Sequence, residues 1–417
     1  VLNREESVGA VIGLRCPRCG QISSSRTIFR CGACNSTLEV KVNISHLTRA
    51  DFSGLRCGRD RSIWRWFDFF PVEQRSSIVS LGEGDTPLIA ARRLGEHLDL
   101  PNLHLKNDTV LPSGSLKDRS NSVGISVAKE LGFDTAAVVS TGNAAASVAA
   151  YAAAAGMKSV VMVPAGTSPA KITQASAYGA TVIVVQGSFD AEIALLYRRA
   201  VQEFDWYDCL SSNPYRTGKK SYAYELADQL DGQCPDWVIH PSAGGAGIPC
   251  MWEGFKESAA LGWIDHLPKL TAAQSAMAAP IVAAFDMGVE EVDPVIAKAT
   301  VAESIQVGNP AAQGWRTLAA VRESQGSAVA LSDEEILDAQ SLTARLAGIF
   351  AEPAGAISVA AAKKLRGGGM IGRDDLVVCN ITGHGLKQPE AILQQEEFLA
   401  IAPTMDALRE RLRQSRF

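Results

Sequence analysis

One lysine opens the chemistry of this chain. Lys117 sits in Pro112-Ser113-Gly114-Ser115-Leu116-Lys117-Asp118-Arg119, just ahead of a helical run from Asn121 to Leu131. Ser113 and Gly114 shape a turn, which puts the lysine in the helix's first turn. The helix dipole disfavours a positive charge there. Such a setting lowers a lysine pKa and favours the free amine that imine formation requires. The plain alternative is a solvated lysine, the usual condition at a helix start. Three further segments carry groups of a matching kind. Ser140-Thr141-Gly142-Asn143 brings two hydroxyls, free helix N–H groups and an amide to the start of an alanine-rich helix, a setting for an anion or a polar ring. The same four residues also make an ordinary capping turn. Ser242-Ala243-Gly244-Gly245-Ala246-Gly247-Ile248 lets backbone amides wrap a phosphate without side-chain interference. It lacks the Lys-Ser/Thr ending of a nucleotide-binding loop, so one cofactor phosphate suits it better; a flexible strand–helix turn is the alternative. Thr382-Gly383-His384-Gly385 offers a hydroxyl at a strand end, with His384 as a loop residue.

A second kind of chemistry lies near the start. Cys16 and Cys19 form one Cys-x-x-Cys pair and Cys31 and Cys34 another, with eleven residues between the pairs. Two such turns complete a tetrahedral sulfur site suited to zinc, in a zinc-ribbon-like segment. The stretch from Gln21 to Arg30 is expected to form a short hairpin between them. Arg15, Arg18, Arg26 and Arg30 give the segment positive charge, but Phe29 alone offers a face for stacking on bases. A structural staple for a subdomain too small to fold alone is therefore favoured over nucleic-acid binding.

These residues need a scaffold. The 417 residues are 47% hydrophobic, enough for a large core and two or three domains. Charge is nearly balanced, 40 Lys+Arg against 45 Asp+Glu for a net of −5, which argues against a polyanionic partner. Nine cysteines in an odd, scattered pattern speak against a disulfide scaffold and for a reducing compartment. The mixed, charged start (Val1 to Gly13) does not read as a secretory leader, and the alanine run 144–157 is too short for a bilayer; a cytoplasmic protein is expected. Strands are expected at Ala136–Ser140, Ser159–Pro164, Thr181–Val185, Trp237–His240 and Leu376–Ile381. Helices are expected at Ala144–Ala155, Pro169–Tyr178, Ala191–Phe204 and Met251–Leu261. Strand–helix alternation with apolar strands means a parallel sheet covered on both faces, an α/β fold. Ligands in such folds gather at the carboxyl ends of strands, where the motifs above lie.

Taken in order, Gly84-Asp85-Thr86-Pro87-Leu88, the Lys117 segment, Ser140–Asn143, the glycine loop and Thr382–Lys387 resemble the threonine synthases, in the fold-type-II family of pyridoxal-phosphate enzymes. The likeness also takes in the cysteine pairs, Ser62-Ile63-Trp64-Arg65 and Ser80-Leu81-Gly82-Glu83-Gly84. It implies two αβα domains with parallel or mixed sheets. Their expected limits are a zinc-ribbon-like segment 1–45, a first part of the large domain 46–135, a small domain 136–215, the rest of the large domain 216–388 and a helical extension 389–417.

The resemblance also implies roles. Lys117 would hold pyridoxal 5'-phosphate as a Schiff base and shuttle protons. Asn143 would hold the ring hydroxyl, Gly244, Gly245, Ala246, Gly247 and Ile248 the cofactor phosphate, and Thr382 the pyridine nitrogen. Asn213 and Arg216 would hold a substrate phosphate, with Ser115, Ser140 and Thr141 as further contacts. The implied reaction takes O-phospho-L-homoserine and water to L-threonine and phosphate, in a homodimer with no nucleic-acid or membrane partner. The chain departs from the family after Arg216: Thr217-Gly218-Lys219-Lys220 is one residue shorter than the usual segment and lacks its Glu and Gln. Leu116 replaces the usual Phe, and Ser120 the usual small residue. The departures keep open a β- or γ-replacement or elimination enzyme acting on another activated amino acid. A zinc-ribbon nucleic-acid-binding or regulatory protein with an idle enzyme body is the reading from a different class.

Overall fold

A computed structural model describes residues 11–56, 58–140, 142–167, 169–187, 192–210, 213–310, 313–393 and 400–414. Its strands, in chain order, are β1 (Val11–Arg15), β2 (Ile22–Ser23), β3 (Glu39–Val42), β4 (Leu88–Ala90), β5 (Leu103–Asn107), β6 (Thr135–Val139), β7 (Lys158–Pro164), β8 (Thr181–Val185), β9 (Tyr207–Asp208), β10 (Trp237–Pro241), β11 (Lys269–Ser275), β12 (Ser327–Leu331) and β13 (Val377–Ile381). They form three sheets, ordered β2-β1-β3, β12-β11-β10-β13-β5-β4 and β8-β7-β6-β9. The four-stranded sheet is wholly parallel. The six-stranded sheet is parallel except for its edge strand β4, which runs antiparallel to β5.

The expected strands form within a residue or two of their predicted limits. The helix after the glycine loop starts at Gly247 rather than Met251. Pro249 lies in its first turn, where a helix needs no N–H from it. The C-terminal extension contains helices Glu390–Leu393 and Met405–Gln414; residues 394–399 and 415–417 lie outside the described set, as do Val1–Ala10 of the N-terminal segment and Ala191 of the expected helix 191–204, of which Ala194–Glu203 is described.

The hairpin expected between the cysteine pairs is absent. Instead each pair has its own antiparallel arms. Leu14 and Arg15 pair with Ser23 and Ile22 around Cys16 and Cys19, and Arg30 pairs with Thr37 around Cys31 and Cys34. A tight Cys-x-x-Cys turn needs both of its flanking strands, so the intervening residues are divided between the two turns.

The helix Lys117–Glu130 runs through the middle of the molecule, and all eleven residues from Asp118 to Ala128 are buried. Such a helix cannot be apolar on one side only, and this one carries Asp118, Arg119, Asn121 and three serines inward. Each polar group needs a partner. Ser122 Oγ donates to the Val79 carbonyl and to Glu83 Oε1. Glu83 also accepts from Tyr151 Oη at 2.8 Å and from Leu81 N, so the Ser80–Gly84 motif clamps two helices.

Arg119 is the centre of the larger network. Its guanidinium meets both oxygens of Asp108 at 2.9 Å and both oxygens of Glu225 at 2.6 and 3.0 Å. The hydroxyls of Thr86 and Ser221 also lie within hydrogen-bond distance of it, six acceptors sharing its five N–H groups, and Lys106 Nζ joins Glu225 at 2.6 Å. The Arg119, Asp108, Glu225 and Lys106 side chains are fully enclosed. Burial alone raises a carboxyl pKa, but Arg119 and Lys106 overcome it and leave Glu225 well below the usual range. Its contribution to stability therefore stands above the unfolded carboxylate pKa, about 4.3, and is lost as pH falls below that value. Arg119→Leu leaves Asp108 buried without its bidentate partner. The expected loss is about 3–5 kcal/mol, read as a lower urea midpoint at neutral pH, with the gap between variant and parent narrowing in acid. An unchanged midpoint would refute the role assigned to this cluster.

Candidate active site

The Lys117 segment is held by the turn that follows β13. Leu116 N donates to the Thr382 carbonyl at 2.9 Å, His384 N donates to the Gly114 carbonyl at 3.0 Å, and Ser115 bridges to Gly383. Two motifs 260-odd positions apart in the chain are thus one backbone unit. Asp118 holds the other side of the turn, accepting from Ser113 N at 2.7 Å and Ser113 Oγ at 2.6 Å. Lys117 is the first residue of its helix. Burial lowers the pKa of its amine to about 8, the nearby Arg216 charge adds to the fall, and Glu352 partly opposes it. An amine with that pKa carries a far larger neutral fraction near physiological pH than an ordinary lysine, roughly one fifth of the molecules.

The glycine loop follows β10, and β10 lies beside β13 in parallel register, with Ile239 opposite Cys379. The loop and Thr382 therefore leave neighbouring strand ends, as expected for ligands of an open α/β sheet. Two glycines are required by close approach. Gly245 has φ +91°, and a Cβ there would lie 2.3 Å from Thr317 Oγ1, which instead donates to the Gly245 carbonyl at 2.6 Å. A Cβ at Gly247 would lie 2.4 Å from His240 Nε2. Gly247 opens the helix Gly247–Ala260, whose first N–H groups have no partner within the helix. Ser242 Oγ, beside the loop, is buried with no hydrogen-bond partner. An orphaned hydroxyl, free helix N–H groups and glycine backbone make a cradle that fits a phosphate.

His240 lies beneath this loop. Asn380 Nδ2 donates to its Nδ1 at 3.0 Å, which puts the proton of the neutral ring on Nε2. Burial first, then the charges of Lys219 and Lys117, drive its pKa far down. The Thr382 turn, which holds the Lys117 segment, leaves the strand next to the one that ends in the loop.

Asn143, the first residue of the helix Asn143–Ala155, donates through Nδ2 to both oxygens of Glu352, at 2.9 and 3.1 Å. Glu352 also accepts from Ser304 Oγ at 3.0 Å, and its own N–H donates to the Gly383 carbonyl. Burial raises its carboxyl pKa. Glu352 is a site residue that the sequence reading missed. The available signal was Glu352-Pro353 ahead of an alanine-rich stretch: an acid before a proline at a helix start.

The remaining candidates separate. Arg216 Nη1 donates to the Cys209 carbonyl at 2.6 Å, while its Nε is buried without a partner. Asn213 is held in its own turn, with Nδ2 on the Asp208 carbonyl and Oδ1 on Tyr215 N. These two contacts use one of its two amide N–H groups and one acceptor site of its oxygen. Ser115 is wholly enclosed, and its Oγ accepts from Lys117 N at 3.4 Å. Ser140 Oγ accepts from Gly142 N and shapes its turn. Thr141 lies outside the described residues. Ile248 is buried in the core behind the loop. In the N-terminal segment, the Sγ atoms of Cys16, Cys19, Cys31 and Cys34 all lie within 4.8 Å of one another, a donor set compatible with zinc. Among the described residues no helix is long and apolar enough to cross a membrane.

Known proteins resemble this chain in sequence and in fold. A family model described as pyridoxal-phosphate dependent enzyme matches residues 79–383. The threonine synthase of Methanocaldococcus jannaschii is 40% identical over 403 residues, covering 96% of this chain and 99% of that protein. The threonine synthase of Methanosarcina acetivorans is 40% identical over 401 residues, covering 95% and 98%. Among solved structures, maize serine racemase matches with a TM-score of 0.65 at 20% identity, covering 79% of this chain and 93% of that one, a likeness of fold. The chain belongs to the pyridoxal-phosphate dependent enzymes of fold type II and, within them, to the threonine synthase family.

Proposed function

We propose that this enzyme converts O-phospho-L-homoserine and water to L-threonine and phosphate. The observation that carries the reading is Lys117: a partly buried amine of lowered pKa, on a turn hydrogen-bonded to Thr382, beside a glycine cradle. The relatives named threonine synthase, matched along nearly their whole length, supply the substrate.

The N–H groups of Gly244 to Ile248 hold the cofactor phosphate, and Ser242 Oγ is free to add a hydrogen bond. Asn143 and Thr382 bound the ring, at the end nearest Glu352 and at the end of β13. Thr382 is a hydroxyl, so it accepts or donates without forcing a proton onto the ring nitrogen. Bound pyridoxal phosphate supplies the electron sink that loosens bonds next to the substrate's amino group. The free amine of Lys117 would take a proton from one substrate carbon and return it to another; a pKa near 8 lets it do both near neutral pH. Arg216 holds the substrate phosphate, its planar fork suited to two oxygens, with Ser115, Ser140 and Thr141 completing that side. The phosphate leaves from Cγ and the water oxygen adds at Cβ.

The four cysteines hold a structural zinc ion in this reading, and the ribbon is a staple. Its residues Leu14, Cys16, Cys31, Leu38 and Val40 pack into the same core as Trp64 and Trp252. Arg26 reaches Glu130 at 2.7 Å, and Arg316 reaches Glu39 at 2.5 Å. The working form is a cytoplasmic homodimer.

Two experiments test this. The purified holoenzyme should release phosphate and form threonine from O-phosphohomoserine; Lys117→Ala should lose the visible cofactor band and slow turnover by more than about 1000-fold. Silence of the unaltered enzyme with its cofactor band intact would turn the reading to a replacement enzyme for another activated amino acid. Cys31→Ser, or prolonged chelation, should remove one zinc per chain and lower Tm by roughly 2–4 °C or more. Salt-sensitive nucleic-acid binding lost with that variant would instead favour a recognition role for the ribbon.

A further inference from the structure

Resting on the function proposed above and extending it by one residue, we propose that Lys219 is a second cation of the active-site anion pocket, binding a phosphate monoester dianion alongside Arg216.

The argument starts from the shortened segment after Arg216. Thr217–Lys220 forms one 3-10 turn. Its backbone is pressed onto the central helix: a Cβ at Gly218 would lie 1.7 Å from the Arg119 carbonyl oxygen. That contact fixes which way the two lysines point, because adjacent residues on a 3-10 turn diverge by about 120°. Lys220 goes toward Glu257, at 2.6 Å, with Glu253 at 3.9 Å. Lys219, one residue earlier and so turned away from that pair, is 8% exposed. Among the described residues its amine has no ion pair and no hydrogen bond.

Its surroundings are those of the active site. The 3-10 turn that carries Lys219 packs against both the helix headed by Lys117 and the helix that follows the glycine loop, which has Cys250 in its first turn, and the charges of Lys117 and Arg216 act on its amine. Its charge acts on His240, whose Nε2 sits under Gly247. Burial first, then Lys117, lowers its own pKa to about 7. The turn that carries Lys219 is thus packed between the helix headed by Lys117 and the helix whose positive end follows the glycine loop, with Arg216 just ahead of it in the chain.

The nearby acids are already engaged. Asp108 is taken by Arg119, Thr86 and Tyr222, and Glu352 by Asn143 and Ser304. Buried charge without a counter-ion is costly, so the balancing anion comes with a ligand. The reaction brings two phosphate monoesters here, one on the cofactor and one on the substrate. Cys209 and Cys250, held as neutral thiols by burial, do not supply the charge.

The test uses holoenzyme carrying Lys219→Gln, Lys219→Met and Lys219→Arg. If the lysine meets the substrate phosphate, the first two raise KM for O-phosphohomoserine about 10- to 100-fold, with a smaller fall in kcat and the cofactor band retained. If it meets the cofactor phosphate, they lose the band on dilution and regain it with excess pyridoxal phosphate, while KM of the reloaded enzyme stays put. Lys219→Arg keeps most function in either case. A third measurement does not need turnover. Inorganic phosphate should raise the Tm of the parent, and Lys219→Met should raise Tm in phosphate-free buffer and abolish that response. Unchanged KM, cofactor retention and phosphate response in the Gln and Met variants together overturn the assignment of Lys219. A parent enzyme inactive on O-phosphohomoserine overturns the function instead, and the phosphate response still decides Lys219.

Discussion

The buried pairing of Arg119 with Asp108 and Glu225 is the constraint from which the active site follows. Arg119 lies two residues after Lys117 on the same helix, so whatever fixes its guanidinium fixes the first turn that presents the amine. Its partners come from separate parts of the chain: Thr86 from the approach to β4, Asp108 just beyond β5, and Ser221 and Glu225 from the helix Ser221–Gln229. Tyr222 adds its ring face, 4.3 Å from the guanidinium carbon. A buried ion cluster of this kind is not an efficient source of net stability compared with apolar packing. What it supplies is register. The groups meet in one arrangement, and a helix shifted by a residue would bury several unpaired charges.

The second constraint is topological. The six-stranded sheet puts β10 and β13 side by side and parallel, so the loops after them emerge at the same edge. One loop is the glycine cradle, and the other carries Thr382 and grips the Lys117 turn through backbone hydrogen bonds. Between the two strands, His240 and Asn380 form a buried polar pair just behind the cradle. Their contact satisfies two groups that would otherwise be orphaned and fills the space that Gly247 leaves open. The cradle is therefore backed by a rigid, uncharged platform.

Much of this was legible in the sequence wherever the signal is local. Strands such as Thr181–Val185 are short apolar runs bounded by glycine, and the glycine loop announces itself by composition. Lys117 was placed correctly at a helix start because the serine and glycine before it cannot continue a helix backwards. Non-local features were not legible. Nothing near Asp108 or Glu225 in the sequence says that they meet one arginine, and nothing near Glu352 says that it meets Asn143. The helix Asp333–Ala347 went unassigned although Ser332 and Glu335 form a capping box that was there to be read. Family likeness makes Asn213 a candidate ligand contact, and the fold also gives it a part in its own turn. Its amide meets the Asp208 carbonyl and Tyr215 N, contacts that only the folded turn reveals.

The same physics treats the buried cations of this protein in two opposite ways. Arg119, Lys106 and Lys220 each meet a carboxylate at 2.9 Å or less, and their charge is used up in holding the fold. Lys117 and Lys219 are left without such partners, and burial pulls both amines down toward neutrality. An unpaired buried amine lowers stability, so a sequence free to vary would be expected to pair it or replace it with an apolar residue. Retaining two of them around one cradle is consistent with a site whose counter-charge arrives from solution. The division is visible within three residues of chain: Gly218 locks the turn on the carbonyl of Arg119, Lys220 is buried against Glu257, and Lys219 is buried with no acid of its own among the described residues.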